Sequence, residues 1–390
     1  SSPCVFYHRK WNLRVVVHGD DFTVLGKVES LDWFWAEIKK RFECKHRGRI
    51  GPAPDDKKVM RILNRIVEWT EDGISVEADQ RHVEICENEI CLEENSRVVT
   101  TPCEKCNRGN RADDRATNAI TAAAAKRNEE LLPSSVATRY RAVIARCNYL
   151  GQDRSDIQYA VKELGKDMSS PTQESWYKMK RLVRYLKGCP RVRIWYRYQT
   201  APENAIVWTD SDFAGCMKSR KSTSAGVVLL GDHLVKSWSS NQAVVALSSG
   251  EAEYYSIVKG SSVGIGIVAL AEDMGVTLEK PIEVRTDASA AVGIANRIGA
   301  GKVRHIEVNQ LWVQEKVATG KIRITKVSTE SNLADALTKP VNAEAIAMHL
   351  AGVGCEARVD RHPAAPKIES DAGEEMMQSD DVACDDGLGE

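Results

Sequence analysis

The sequence predicts a protein of the α/β (α+β) class, with short strands and helices following one another through the second half of the chain. Two short runs, Ala205 to Thr209 and Ile282 to Thr286, are apolar and rich in β-branched residues, which is typical of buried strands. Between them, a long helix is predicted from Glu251 to Met274. From Ile206 to Ile294 the predicted order is therefore strand, strand, strand, helix, strand, helix.

The first half of the chain begins with a predicted hairpin. Two apolar strands between Arg14 and Gly26 are joined by a tight turn that carries two adjacent acids, Asp20 and Asp21. Any surface hairpin can place acids in its turn, so this pattern alone does not indicate a function. Further along, residues 107 to 135 are polar and Ala-rich, which predicts either a helix or a flexible connection.

Charge is distributed unevenly, although the formal net charge of the 390 residues is only −1. From Arg139 to Arg197 there are 14 Lys or Arg against 5 Asp or Glu, interleaved with Tyr and Trp. This stretch is typical of a surface that follows a phosphate backbone, or of amphipathic helices whose basic side chains extend into solvent. From Glu356 to Glu390 there are 3 Lys or Arg against 11 Asp or Glu, and we expect this tail to be disordered.

The 11 cysteines do not form a disulfide framework, because their number is odd and their spacing is irregular. No signal segment and no apolar run of about 20 residues is evident. We therefore expect an intracellular protein, cytoplasmic or nuclear, that is not secreted and has no membrane partner. Cys103 and Cys106 have zinc spacing, but no second Cys or His pair lies nearby in the sequence, so no zinc site is expected.

Acidic residues recur where predicted strands end and helices begin. Asp210 ends the first strand, Glu251 and Glu253 open the long helix, and Asp287 precedes a helix that starts near Ala288. Such acids can converge above one edge of a sheet. Two Mg²⁺ ions about 3.5–4 Å apart require several oxygen ligands, so these acids predict a two-metal site.

A further acid, Asp335, follows Ser331 and Asn332, which resemble the N-terminal cap of another helix. Each acid also has a structural explanation. Asp210 or Asp212 could be a turn residue, the two glutamates could lie on a solvated helix face, and Asp335 could favour a helix N-terminus.

From about Ala205 to Pro340 the chain resembles the ribonuclease H domain of copia-type retrotransposon polyproteins. The resemblance is carried by Thr-Asp-Ser-Asp-Phe-Ala-Gly, Arg-Lys-Ser-Thr-Ser-Ala-Gly, Trp-Ser-Ser-Asn-Gln, Leu-Ser-Ser-Gly-Glu-Ala-Glu-Tyr and Leu-Ala-Asp-Ala-Leu-Thr-Lys-Pro. It implies a mixed five-stranded sheet with flanking helices. It also implies an endonuclease that uses two Mg²⁺, or Mn²⁺ in their place, to hydrolyse the RNA strand of an RNA–DNA hybrid.

The resemblance places the catalytic and metal-binding acids at Asp210, Glu253, Asp287 and Asp335. Glu253 is preferred to Glu251 because related enzymes have a bulky residue directly after the catalytic Glu and a small one three positions after it.

Other positions take a role only by resemblance. His305 matches a family His that could assist catalysis or product release, although a structural role fits it equally well. Asn309 stands where the family often has Asp. Ser248, Ser249 and Asn241 are candidates for contacts to the hybrid.

The upstream hairpin resembles the palm hairpin of copia-type reverse transcriptases, with Asp20 and Asp21 as the polymerase acids, although His18-Gly19 replaces the usual Tyr-Val. The implied division is a partial palm and thumb (1–106), a linker (107–138), a basic helical connection (139–200), the ribonuclease H-like domain (201–345) and an acidic tail (346–390). We expect no polymerase activity, because a further metal-binding Asp and the fingers would lie upstream of the hairpin. A complete reverse transcriptase or the rest of the polyprotein is an expected partner.

Two other functions stay open. The chain could be a decayed element that binds nucleic acid without catalysis. It could also be an integrase-like or exonuclease-like relative, since one fold supports several phosphoryl-transfer reactions.

Overall fold

The computed structural model describes residues 3–93, 95–104, 129–216, 218–301 and 305–368. In chain order its strands are β1 (Val5–His8), β2 (Leu13–His18), β3 (Asp21–Leu25), β4 (Val59–Ile62), β5 (Arg65–Thr70), β6 (Gly73–Glu77), β7 (Arg191–Arg197), β8 (Ala205–Asp212), β9 (Thr223–Leu230), β10 (His233–Asn241), β11 (Ile282–Thr286), β12 (Ile322–Lys326) and β13 (Cys355–Arg358). Its α-helices are α1 (Val28–Ile38), α2 (Arg81–Glu89), α3 (Ser134–Leu150), α4 (Gln158–Gly165), α5 (Gln173–Gly188), α6 (Ser249–Asp273), α7 (Ser289–Ala295), α8 (Trp312–Ala318) and α9 (Ala343–Gly352).

The predicted hairpin near the start of the chain is present and belongs to a three-stranded antiparallel sheet, β1-β2-β3. Gly19 has a φ of +61°, a backbone conformation that favours glycine, so the tight turn between β2 and β3 can form there. An apolar cavity of about 530 Å³ separates this sheet from α1.

A second sheet joins segments that are far apart in the sequence. Its antiparallel order is β13-β7-β6-β5-β4, so strands from the predicted thumb, the predicted connection and the predicted tail pair side by side. Arg191 of β7 donates to Glu77 of β6 at 2.8 Å through two nitrogens, and both side chains are buried. This bidentate ion pair fixes the register between the two strands.

Helices α2 to α5 form a layer around a shared apolar core. The Tyr140 hydroxyl of α3 donates to the backbone oxygen of Leu164 in α4 at 2.8 Å. A fully buried ion pair between Arg154 and Asp156 lies in the same layer. Asp156 also accepts a hydrogen bond from the Tyr185 hydroxyl at 2.7 Å. Two aromatic residues of the basic stretch, Tyr140 and Tyr185, are therefore core residues rather than surface for nucleic acid.

The predicted five-stranded mixed sheet with flanking helices is confirmed. The strand order is β10-β9-β8-β11-β12, with β8 to β10 antiparallel and β11 parallel to both β8 and β12. Helices α6, α7 and α8 cover one face, and α9 packs with β7 against the other. The sheet is thus buried on both faces, which explains the apolar runs that predicted its strands.

Helix α6 lies unusually close to the sheet. A Cβ atom at Gly260 would clash with the Thr209 side chain, and one at Gly264 would lie 2.9 Å from Val207. The helix is capped by Ser248, whose hydroxyl accepts from the backbone N–H of Glu251 at 3.2 Å. By length and composition α6 could cross a membrane, but its apolar side chains pack on the sheet, as a core helix requires.

The prediction that Ser331 and Asn332 cap a helix containing Asp335 is wrong. Asp335 lies in a single 3₁₀ turn, Asp335–Leu337, and the next α-helix is α9, capped by Asn342. Asn332 Oδ1 accepts from the backbone N–H of Ala334 at 3.1 Å, which closes a local turn, while its amide nitrogen donates to the backbone oxygen of Thr209 at 3.1 Å. Pro340 also disfavours helical geometry at the residue before it.

Two predicted boundaries need correction. The predicted linker ended at residue 138, but α3 already begins at Ser134, while residues 105–128 lie outside the described residues. The predicted disordered tail began at residue 346, but α9 continues to Gly352 and Cys355–Arg358 forms strand β13. The polar composition hid this strand, since it pairs at a sheet edge; residues 369–390 lie outside the described residues.

Candidate metal centre

Three of the predicted acids converge at one edge of the mixed sheet. Asp210 lies in β8, Glu253 in the first turns of α6, and Asp287 directly after β11, and one carboxylate oxygen from each lies within 4.8 Å of the others. Asp210 and Asp287 each come two residues after the paired Trp208 and Arg285. Because β8 and β11 are parallel neighbours, both acids emerge at the same end of the sheet.

Asp210 is buried, with 5% of its surface exposed. Its Oδ2 accepts from the Thr338 hydroxyl at 2.6 Å, and its Oδ1 accepts from the Asn332 amide at 3.4 Å. Burial raises the pKa of Asp210 to about 7, and the charges of Asp335 and Asp287 add to the rise, while the hydrogen bond from Thr338 opposes it.

Glu253 has one satisfied and one unsatisfied oxygen. Its Oε1 accepts from the backbone N–H of Ser211 at 3.2 Å, whereas Oε2 is buried and accepts no hydrogen bond from the described residues. Burial raises the pKa of Glu253 to about 8, with the Asp210 charge as the next cause. A buried carboxylate oxygen without a partner is costly, so the position of Glu253 suits a bound cation.

The three acids therefore fit a divalent metal ion. Asp287 supplies the third carboxylate, and its Oδ2 accepts from the Thr329 hydroxyl at 2.7 Å. Mg²⁺ prefers hard oxygen ligands, and a cation between the three carboxylates would remove both their mutual repulsion and the orphaned oxygen of Glu253.

Asp335, the fourth predicted ligand, is close to this group without joining it. Its carboxylate binds the Lys339 ammonium group at 2.6 Å. Among the described residues, the group of acids able to hold a metal ion consists of Asp210, Glu253 and Asp287. The assignment of Asp335 as a ligand stays a prediction.

Glu251 and Glu253 have different surroundings although two residues separate them. Glu251 is buried and accepts three hydrogen bonds: from the backbone N–H of Leu247 at 2.9 Å, the Tyr255 hydroxyl at 2.8 Å and His305 Nε2 at 2.7 Å. The His305 hydrogen bond is the largest of the causes that lower the pKa of Glu251, and burial opposes it. Glu251 thus binds His305 and is not one of the three grouped acids. A catalytic role for His305 stays a prediction.

The other candidate residues lie elsewhere. Asp20 and Asp21 are exposed at the β2–β3 turn, and no group of three acids in the described part of the chain includes them. Ser248 is occupied as a helix cap, while Ser249 and Asn241 are exposed. Cys103 is half-buried, and Cys106, the second cysteine of the pair with zinc spacing, lies outside the described residues.

Sequence reasoning missed the residues that hold the acids in place. Thr338 and Asn332 donate to Asp210, Thr329 donates to Asp287, and Lys339 pairs with Asp335. Thr338 and Lys339 belong to the Leu-Ala-Asp-Ala-Leu-Thr-Lys-Pro motif. That motif could have indicated them, since Thr338 and Lys339 are polar residues of the motif for which the acids alone give no explanation.

Comparison with known proteins finds relatives along most of the chain. It is 35% identical over 219 residues to the retrovirus-related Pol polyprotein from transposon RE1 of Arabidopsis thaliana. That alignment covers 56% of this chain and 15% of the polyprotein. It is 24% identical over 358 residues to the corresponding polyprotein from transposon TNT 1-94 of Nicotiana tabacum, covering 87% of this chain and 24% of that protein. The chain thus spans a quarter or less of the length of these two polyproteins.

Among solved structures, LC11-RNase H1 in complex with an RNA/DNA hybrid aligns with a TM-score of 0.24 and 17% identity, covering 37% of this chain and 99% of that one. No protein-family model matches the chain.

Proposed function

We propose that this chain is a metal-dependent endonuclease for the RNA strand of RNA–DNA hybrids. The proposal starts from the finding that its homologues are retrovirus-related Pol polyproteins of copia-type transposons. One observation carries this proposal. Three carboxylates, one of them with a buried unpaired oxygen, converge within 4.8 Å at the end of two parallel strands. A divalent cation is the simplest species that satisfies such a group.

Asp210, Glu253 and Asp287 would hold Mg²⁺, with Asp335 as a further ligand and Mn²⁺ as a substitute. When bound, two such ions supply an activated water and stabilise the departing 3′ oxygen of the cleaved strand. The protein's own part is to fix the carboxylates and to limit the rise in their pKa that burial causes. Hydrogen bonds from Ser211 and Thr338 stabilise the ionised forms of Glu253 and Asp210.

Recognition of the RNA strand would depend on 2′-hydroxyl groups. Ser249 and Asn241 support this because both are exposed and both flank the segment that leads into α6. His305 is also half-exposed, with 43% of its side chain accessible, although Glu251 holds one ring nitrogen. The exposed part of His305 would be the part that reaches substrate or product.

We propose that the hairpin of Asp20 and Asp21 does not polymerise. A two-metal polymerase site requires acids beyond an adjacent pair, and in the described part of the chain these two belong to no larger acid group. The expected partners are an RNA–DNA hybrid and a complete reverse transcriptase or the rest of a polyprotein. The expected location is intracellular, cytoplasmic or nuclear.

The test is cleavage of a labelled RNA–DNA hybrid with Mg²⁺, beside single-stranded RNA and a primed template with nucleotides. Asp287→Asn is the informative variant, because it removes one charge from the cluster with little change in shape. We expect wild type to cut only the hybrid and the variant to lose at least a hundredfold in rate while still binding it. A variant that cuts at the native rate would show that the site is wrong, and nucleotide incorporation would overturn the polymerase proposal.

A second candidate is a nucleic-acid-binding module without catalysis. The ion pair between Asp335 and Lys339 favours it, since it leaves three acids rather than four at the site. Hybrid binding without metal-dependent cutting would establish this alternative.

A further inference from the structure

The loop from Asn332 to Thr338 contacts both carboxylate oxygens of Asp210. Thr338 Oγ1 lies 2.6 Å from Oδ2 and 2.9 Å from the backbone oxygen of Asp335, and its single proton is donated to Oδ2, the closer acceptor. Asn332 Nδ2 donates to Oδ1 at 3.4 Å. The same amide donates to the backbone oxygen of Thr209, the preceding residue, at 3.1 Å. Thr338 is itself buried, with 1% of its surface exposed, so its hydroxyl has little access to water. The orientation of Asp210 is thus set by this loop.

The loop is fixed in turn by its surroundings. The Ser239 hydroxyl donates to the backbone oxygen of Leu337 at 2.7 Å. His349 Nδ1 donates to the backbone oxygen of Leu333 at 2.8 Å, because a carbonyl oxygen can only accept. Its Nε2 then accepts from the Ser155 hydroxyl at 2.9 Å. A loop anchored at two of its carbonyl oxygens can hold the Thr338 hydroxyl in one place.

We propose that Thr338 is a positioning residue that fixes the Asp210 carboxylate for metal binding, and this rests on the proposed function. Without the Thr338 hydroxyl, Oδ2 loses its closest partner, and the carboxylate can rotate away from Glu253 and Asp287. Groups that orient metal ligands in this way typically contribute roughly 10- to 100-fold to metal affinity. The inference assigns a role to the Thr of the Leu-Thr-Lys-Pro motif.

The test is calorimetric titration of Mn²⁺ into wild type, Thr338→Val and Thr338→Ser. Valine keeps the shape and removes the hydroxyl, whereas serine keeps the hydroxyl. We expect Thr338→Val to weaken Mn²⁺ binding roughly 10- to 100-fold and Thr338→Ser to stay within about threefold of wild type. Circular dichroism checks folding, and Thr338→Ala replaces the valine variant if that protein does not fold.

Ser239→Ala is the matched control. It removes a hydrogen bond to the same loop, at Leu337, without touching Asp210. If Ser239→Ala weakens Mn²⁺ binding as much as Thr338→Val does, general loosening of the loop explains the effect and the proposal is wrong. Equal affinity of wild type and Thr338→Val would also overturn it. Failure of wild type to bind Mn²⁺ would instead refute the proposed metal site itself.

Discussion

Replacing Glu253 by Gln should stabilise the metal-free protein, although it removes a proposed metal ligand. The reason is the buried, unpaired Oε2 atom and the two acids beside it. Burial raises the pKa of Glu253 from its ordinary 4.5 to about 8. Between these values the folded state binds more protons than the unfolded state, so the stability of the metal-free protein falls as the pH rises.

The magnitude follows from the shift. At about 1.36 kcal/mol per pKa unit, a rise from 4.5 to about 8 costs the folded state on the order of 4 kcal/mol at pH 8. Because Asp210 and Glu253 repel each other, protonation of Asp210 relieves part of this cost. We therefore expect Glu253→Gln to gain roughly 2 kcal/mol, or roughly 2–3 °C in the midpoint of thermal unfolding for a chain of 390 residues.

The assay is thermal unfolding at pH 8 in EDTA and then with Mg²⁺. Glu251→Gln is the matched control, since Glu251 is a buried glutamate on the same helix but accepts three hydrogen bonds and has a lowered pKa. Glu251→Gln should lower the stability of the protein in EDTA, whereas Glu253→Gln should raise it. Mg²⁺ should stabilise wild type and not Glu253→Gln. If Glu253→Gln lowers the midpoint in EDTA as Glu251→Gln does, the reasoning about an uncompensated cluster is refuted.

Three further predictions concern the metal site and the packing around it. Since the pKa is about 7 for Asp210 and about 8 for Glu253, Mn²⁺ binding should strengthen at least tenfold from pH 6 to pH 8 and should release protons. Calorimetry in buffers of different ionisation enthalpy measures both effects, and pH-independent binding would contradict this prediction. Lys339→Met should free Asp335 and strengthen Mn²⁺ binding severalfold, and unchanged affinity would show that the ion pair does not compete with metal. Gly260→Ala should destabilise the protein by about 1–3 kcal/mol in urea unfolding, because the added methyl group would clash with the Thr209 side chain. Gly293→Ala is the control and should not destabilise the protein, because open space surrounds Gly293.

The sequence predicted the acids well where they depend on local structure. Asp210, Glu253 and Asp287 sit beside strands and a helix whose apolar patterns are strong, so their convergence followed from the order of the elements. The segment around Asp335 could not be predicted in the same way. Its conformation depends on the hydrogen bond from Asn332 to Thr209, which is 123 residues away in the sequence.

Strand pairing across the chain could not be predicted from composition. Composition suggested that the basic stretch and the acidic tail were separate units, yet Arg191 of the first pairs with Asp360 of the second. Net charge describes solubility and association, and it carries no information about which strands pair.

The order of the second sheet bears on how this chain folds during synthesis. Strand β6 pairs with β7, and the bond from Arg193 to Glu77 spans 116 residues. Until the ribosome has made β7, the β6 edge has no strand beside it, and an unpaired edge invites association with other chains. The sheet is complete only when β13 emerges. Completion of this sheet therefore depends on segments that are far apart in the sequence, and a nascent chain would need protection at the β6 edge until β7 has been made.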